Sequence, residues 1–278
     1  MTDVLRYAAF TDGGRGGNPA GVVLDAAGLD DAGMLAVAAD VGYSETAFVT
    51  GTSAPGRLTV RYFSPRAEVA FCGHATVAAA VAIAERTDPG HLVLGTRAGD
   101  VPVTTAVGPT GLSATLTSVP TTTGPAPDDV LDVALAALRW RHSDLDPRYP
   151  AHVAYAGNDH LLVGVRSREL LASLDYDGPA LTAVMARVGW TTVHAFWAQT
   201  PTTVHARNPF PPGGVVEDPA TGAAAAAFGG YLRDLGLVDV PGRVTVLQGA
   251  DMGRPSRLEV DLGTGPRVRV TGTAAPVV

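Results

Sequence analysis

The stretch Arg61-Tyr62-Phe63-Ser64-Pro65-Arg66-Ala67-Glu68-Val69-Ala70-Phe71-Cys72-Gly73-His74-Ala75-Thr76 constrains this chain more than any other. Before it, Leu58 to Phe63 alternates apolar with polar residues and is rich in β-branched and aromatic side chains, the pattern of a strand. After it, residues 74–86 are alanine-rich with no internal glycine or proline, the pattern of a helix. The segment therefore predicts strand, irregular connection, then a helix whose first turn is Gly73-His74-Ala75-Thr76. A first turn of small residues leaves backbone N–H groups accessible, the usual way to hold a carboxylate or phosphate. Cys72 and His74 flank that anion site as a pair able to handle protons.

The same arrangement recurs downstream. Glu217-Asp218-Pro219-Ala220-Thr221-Gly222-Ala223-Ala224 again sets an ionisable residue before a tiny-residue helix start, 146 positions after Cys72 in a chain of 278. One such start in each half predicts two similar halves with a ligand between them. Other elements follow the period rules. Strands are expected at 4–10, 20–24, 45–49, 91–95, 100–106, 111–119, 151–156, 160–166, 191–198, 202–206, 243–248, 257–261 and 267–271. Helices are expected at 30–41, 128–140, 168–174 and 179–188, with Asp30 or Asp31 capping the first. The Thr/Pro/Gly-rich run 121–127 is the expected linker. Strands and helices mix without strict βαβ alternation, so the fold class is α+β, not a doubly wound sheet. The domains are read as 1–120 and 121–278, with a return of the last strand to the first domain left open.

Composition removes several function classes. With 46% hydrophobic and 17% charged residues the chain is globular, and its net charge of −7 with no basic run argues against nucleic acid or a membrane as partner. Met1-Thr2-Asp3 is not a basic leader and no apolar run approaches ~18 residues, so a cytoplasmic protein is expected. A single cysteine rules out an intrachain disulfide and any multi-cysteine metal site. The absence of lysine excludes Schiff-base chemistry and lysine-bound pyridoxal phosphate. His91, His142, His152, His160, His194 and His205 show no metal-ligand spacing and read as structural.

Taken singly, the reactive residues have two readings each. Glu45, in Ser44-Glu45-Thr46-Ala47-Phe48, is either a solvated strand-end carboxylate or a base whose pKa an apolar surround raises. His74 is a structural donor or a functional one, Cys72 a small buried apolar group or a thiol nucleophile, and Asp218 a helix cap or an acid/base group.

Together with Gly17-Asn18-Pro19-Ala20-Gly21-Val22-Val23, these motifs are similar to those of the phenazine-biosynthesis PhzF-like family, relatives of diaminopimelate epimerase and proline racemase. Ser44-Glu45-Thr46-Ala47-Phe48, Phe71-Cys72-Gly73-His74-Ala75-Thr76 and Glu217-Asp218-Pro219-Ala220-Thr221-Gly222 occur in the family order, with weaker matches at Arg207, Gln248-Gly249 and Arg254-Pro255-Ser256. The resemblance implies two epimerase-like domains, each a barrel-like sheet around a central helix, with the active site in the interdomain cleft. It implies Glu45 as general base, His74 and Asp218 as catalytic partners, and no metal or organic cofactor. Ser44, Asn18, Cys72, Gly73, Arg207, Gly222 and Ala223 are the expected substrate contacts. Ala223 replaces the family's usual serine, and Arg15 stands where a phenylalanine usually precedes Gly-Asn-Pro. The expected activity is isomerisation by moving a proton between carbons of a small carboxylate-bearing metabolite, by a homodimer. The alternatives are an epimerase or racemase using Cys72 and Asp218, and a non-catalytic small-molecule binder.

Overall fold

In the computed structural model, which describes residues 2–277, the chain divides into two compact units. One is Met1–Thr117 with Thr271–Val278, the other Ser118–Val270. The first unit contains β1 (Leu5–Ala9), β2 (Asn18–Val23), α1 (Asp31–Val41), β3 (Thr46–Ala54), β4 (Arg57–Phe63), the two-residue β5 (Glu68–Val69), α2 (Gly73–Ala84), β6 (His91–Thr96), β7 (Gly99–Gly108) and β8 (Gly111–Thr117). The second contains β9 (Thr122–Pro125), α3 (Asp128–Leu138), β10 (His152–Tyr155), β11 (Asp159–Gly164), α4 (Arg168–Ala172), α5 (Gly178–Val188), β12 (Trp190–Thr200), β13 (Thr203–Arg207), α6 (Gly222–Asp234), β14 (Gly242–Gln248) and β15 (Ser256–Leu262). The last strand, β16 (Val268–Pro276), begins in the second unit and ends in the first.

The first unit is a closed barrel. Its strand order is β1-β2-β3-β4-β6-β7-β8-β16, and β16 pairs back onto β1 through Tyr7↔Pro276, Ala8↔Ala275 and Ala9↔Ala274. Helix α2 is buried over nearly its whole length, which alanine-rich composition permits: a barrel of eight strands has little interior width. The strands yield space as well. Ala20 and Ala47 are fully buried on the strand faces opposite Val23 and Phe48. Those two pack outward with Ala26, Met34, Ala38 and Phe63 beneath α1. Asp30 caps α1 by accepting from the Gly33 N–H at 2.8 Å.

The second unit has the order β16-β15-β14-β13-β12-β11-β10-β9 with α6 as its buried helix. Helices α3 and α5 cover the outer face through a cluster that includes Leu131, Leu135, Leu138, Leu161, Val163, Leu181, Met185 and Val193. Among the described residues, no helix is long and apolar enough to cross a membrane.

Two readings from sequence need correction. The expected linker contains β9, paired with β10 through Thr122↔Tyr155 to Pro125↔His152. It lies at the sheet edge, where a proline lacking an N–H is tolerated. The last strand runs to Pro276 and not to 271, crossing Gly272, where a Cβ would overlap the Phe10 ring. There glycine permits close packing and does not end the strand. Smaller shifts occur at the expected helices: 74–86 spans Gly73–Ala84 and 128–140 spans Asp128–Leu138.

Candidate active site

The first unit gathers Ser44, Glu45, Cys72 and His74 at the start of α2. Gly42 ends α1 with φ 71°, turning the chain so that Ser44 and Glu45 precede β3. The Gly21 N–H donates to the Glu45 carbonyl at 3.2 Å, tying that turn to β2. Cys72 is the residue before α2, extended and without a side-chain cap. Its carbonyl accepts from the Thr76 hydroxyl at 2.7 Å, and Thr76 Oγ1 lies 2.6 Å from the buried Tyr62 hydroxyl. Since the Thr76 proton goes to Cys72, Tyr62 is the donor to Thr76. Burial holds the Tyr62 phenol well above its ordinary range, so it keeps that proton. A fixed chain of donors thus stands behind Cys72.

The four side chains lie close together. His74 Nε2 is 3.3 Å from Ser44 Oγ and 3.4 Å from Glu45 Oε2, and Cys72 Sγ is 3.5 Å from that same oxygen. Sγ is also 3.3 Å from His74 Nδ1 and 3.8 Å from Nε2. The two ring nitrogens point in different directions, so a sulfur this near both lies over the imidazole face and is not in line with either. His74 Nε2 therefore serves Ser44 and Glu45, while the thiol packs on the ring and directs its proton to Glu45. Exposure of the Glu45 side chain is 19%, against 8% for His74, so the carboxylate is the more accessible of the two. Its Oε2 carries both the His74 and the Cys72 contacts. Asn18 is buried at the start of β2, opposite Ala9, and Gly73 is the first residue of α2.

In the second unit Asp218 is held on several sides. Its N–H donates to the Asn208 carbonyl at 3.0 Å. Its carbonyl accepts from Gln248 Nε2 at 2.6 Å, and its Oδ2 accepts from the Thr221 hydroxyl at 2.6 Å. Gln248 Nε2 also donates to Thr221 Oγ1 at 3.0 Å, and Gln248 Oε1 accepts from the Thr221 N–H at 3.2 Å. Gln248, almost fully buried, therefore orients Thr221, and Thr221 orients the carboxylate. The sequence marked Gln248-Gly249 only as a weak match, and this bracing role is what that pair adds. Gly249 has φ 76°, and a Cβ there would overlap the Arg254 carbonyl oxygen and lie 2.7 Å from that of Pro219. Gly222 and Ala223 form the first turn of α6.

Arg207 is engaged by groups of its own unit. Its guanidinium forms a bidentate pair with Glu217, and Nη1 donates to the carbonyls of Leu171, Ala172 and Leu174 at 3.2, 2.8 and 3.2 Å. The fork holds α4 to the Glu217 segment. Ser44, Glu45, Cys72 and His74 are thus brought together in one unit, and Asp218 sits with Gly222 and Ala223 in the other.

The chain has a twin-unit α+β fold with a carboxylate–imidazole–thiol cluster at the start of a buried helix, and its similarity to proteins named as isomerases makes it an enzyme of the isomerase class. Residues 7–278 match the family described as phenazine biosynthesis-like protein, PhzC-PhzF, and the chain belongs to that family. A Bacillus subtilis protein named as an uncharacterized isomerase, YfhB, is 31% identical over 98% of this chain and 95% of its own length. The trans-2,3-dihydro-3-hydroxyanthranilate isomerase of Pseudomonas chlororaphis is 30% identical over 95% of this chain and 93% of its own. The crystal structure of a Bacillus anthracis phenazine biosynthesis protein of the PhzF family has a TM-score of 0.89 at 26% identity, covering 99% of this chain and 96% of that one.

Proposed function

We propose that the protein shifts a proton between carbons of a small carboxylate-bearing metabolite, using its own side chains and no cofactor. Glu45 takes the proton from a carbon made acidic by a neighbouring unsaturated or carbonyl group and returns it further along the same molecule. His74, within 3.4 Å of Glu45 and backed by Ser44, steadies the carboxylate as its charge changes. Backbone N–H groups at the start of α2 hold the substrate carboxylate. Asp218 keeps the role its motif implies, assisting proton movement, with Thr221 and Gln248 fixing its orientation. The observation that carries this reading is the Glu45 carboxylate, partly exposed, in contact with both His74 and Cys72.

One assay tests it, with trans-2,3-dihydro-3-hydroxyanthranilate as the first trial substrate and related unsaturated carboxylates after it. Glu45→Gln keeps shape and polarity but cannot accept a proton, and it should lower kcat by ~10²–10⁴-fold. Cys72→Ala should stay within about tenfold of wild type. An active Glu45→Gln enzyme beside an inactive, folded Cys72→Ala enzyme would transfer the base role to the thiol and restore the epimerase reading.

A further inference from the structure

We propose that Glu45, Cys72 and His74 also form a binding site for a thiophilic divalent cation, zinc above all, which blocks the proposed base reversibly. Their donor atoms lie within 4.8 Å of one another. Sγ, Oε2 and Nε2 make a triangle with edges of 3.5 Å (Sγ–Oε2), 3.4 Å (Oε2–Nε2) and 3.8 Å (Nε2–Sγ). Zinc bonds of about 2.3 Å to sulfur and about 2.1 Å to nitrogen or oxygen, at tetrahedral angles, put the ligand atoms about 3.6 Å apart for the sulfur edges and about 3.4 Å for the N–O edge. Each observed edge lies within about 0.3 Å of these. The donor spacings of the cluster are close to those of one face of a zinc tetrahedron before any rearrangement.

The donor chemistry points the same way. Thiolate with imidazole selects zinc or cobalt over magnesium and calcium, which prefer sets made only of oxygen. Three protein ligands leave a fourth position for water, the pattern of an open site and not of a structural one. Two changes complete the site. The imidazole turns about its Cβ–Cγ bond to aim Nε2 at the metal, since Sγ now lies over the ring. The thiol gives up its proton to solvent as the metal–sulfur bond forms, with no change of oxidation state. Cys72 and His74 sit on the same helix start, and Glu45 is tied to β2 by its carbonyl, so the backbone need not move.

With the metal bound, Oε2 is coordinated and cannot take a substrate proton. That consequence rests on Glu45 being the base, whereas the binding itself does not.

The test is a titration of the whole, metal-free chain with Co²⁺ in a phosphine reductant. The expected result is one Co²⁺ per chain with a thiolate-to-cobalt charge-transfer band and the intense visible bands of four-coordination. Stoichiometric Zn²⁺ should displace it and Mg²⁺ should not. Cys72 is the only cysteine in the sequence, so a thiolate band reports on this site alone. Cys72→Ser should abolish the band. Glu45→Gln and His74→Asn should each weaken binding by more than the ~10–100-fold that loss of an outer-shell partner costs. Should a variant fail to fold, X-ray absorption on the wild-type zinc complex decides: one sulfur near about 2.3 Å is expected. A spectrum without charge transfer, a zinc shell without sulfur, or unchanged affinity in folded Glu45→Gln and His74→Asn overturns the site. Loss of the metal site with an inactive Glu45→Gln leaves the base assignment standing, and the reverse pattern removes only the base.

Discussion

Two buried histidines make the second unit acid-sensitive in a way that can be calculated. His160 and His194 are fully buried on β11 and β12. His194 Nδ1 donates to Asn208 Oδ1 at 2.9 Å, Asn208 Nδ2 donates to Thr192 Oγ1 at 3.3 Å, and Thr192 Oγ1 is 2.8 Å from His160 Nδ1. Neither Nε2 has a hydrogen-bond partner among the described residues, and the His194 ring lies 5.0 Å from that of Phe228. Charging either ring would strand a cation in an apolar wall. Burial accordingly depresses His160 to about 3 and His194 to about 4, against ~6.5 in an unfolded chain.

Because the folded values are the lower ones, both rings contribute stability above pH 6.5 that is lost as pH falls from there toward 4. Between pH 7.5 and 5.0 each unfolded-state histidine gains a proton that its folded counterpart refuses, a loss of about 2 kcal/mol per ring and about 4 kcal/mol for the pair. Trp140, Trp190 and Trp197, the chain's only tryptophans, all lie in this unit, so fluorescence-monitored urea unfolding at the two pH values reads its stability. His160→Asn and His194→Asn keep a donor near Nδ1 but do not titrate. Whatever each costs at pH 7.5, it should shrink the acid-induced loss by about 2 kcal/mol, and carboxylate contributions cancel in the comparison. An unchanged acid-induced loss in either variant, or a folded-state NMR titration of either ring near pH 6.5, would refute the reasoning.

Two further outcomes follow from the bracing of Asp218. Gln248→Leu removes both donors to the Asp218 segment, and loss of hydrogen bonds to charged or buried groups, at about 1.5–3 kcal/mol, should appear as a ~10–100-fold lower kcat with a smaller change in KM, checked by steady-state kinetics. Gly249→Ala forces a Cβ onto two carbonyl oxygens at φ 76° and should lower stability by more than about 2 kcal/mol, read from thermal or urea unfolding.

Much of this was legible in the sequence because it rests on local pattern. The helix starts at Gly73 and Gly222 announce themselves by a run of small residues after an ionisable one, and strands such as Arg57–Phe63 by alternation. What stayed hidden depends on partners distant in sequence. Thr122–Pro125 looks like a linker until β10 pairs with it. Arg207 is marked in the sequence only by its motif, and its engagement by Glu217 and three carbonyls emerges only in the fold. Gln248 gains meaning only through Asp218 and Thr221, 30 and 27 positions away. His160 and His194 read as structural from their lack of metal spacing, but only their full burial, with His194 beside Phe196 and Phe228, reveals that they must stay neutral.

The central claim, a proton moved by one carboxylate, is tested most directly by following the hydrogen itself. The reaction is run in D2O on a substrate that the wild-type enzyme turns over, and the product is read by NMR at low conversion. A single base such as Glu45 that takes and returns the same proton should leave part of the transferred hydrogen undeuterated at its new carbon, provided the site excludes bulk water. A pair of bases on opposite faces instead delivers a solvent-derived proton. Deuterium on the original carbon with inverted configuration would contradict the account.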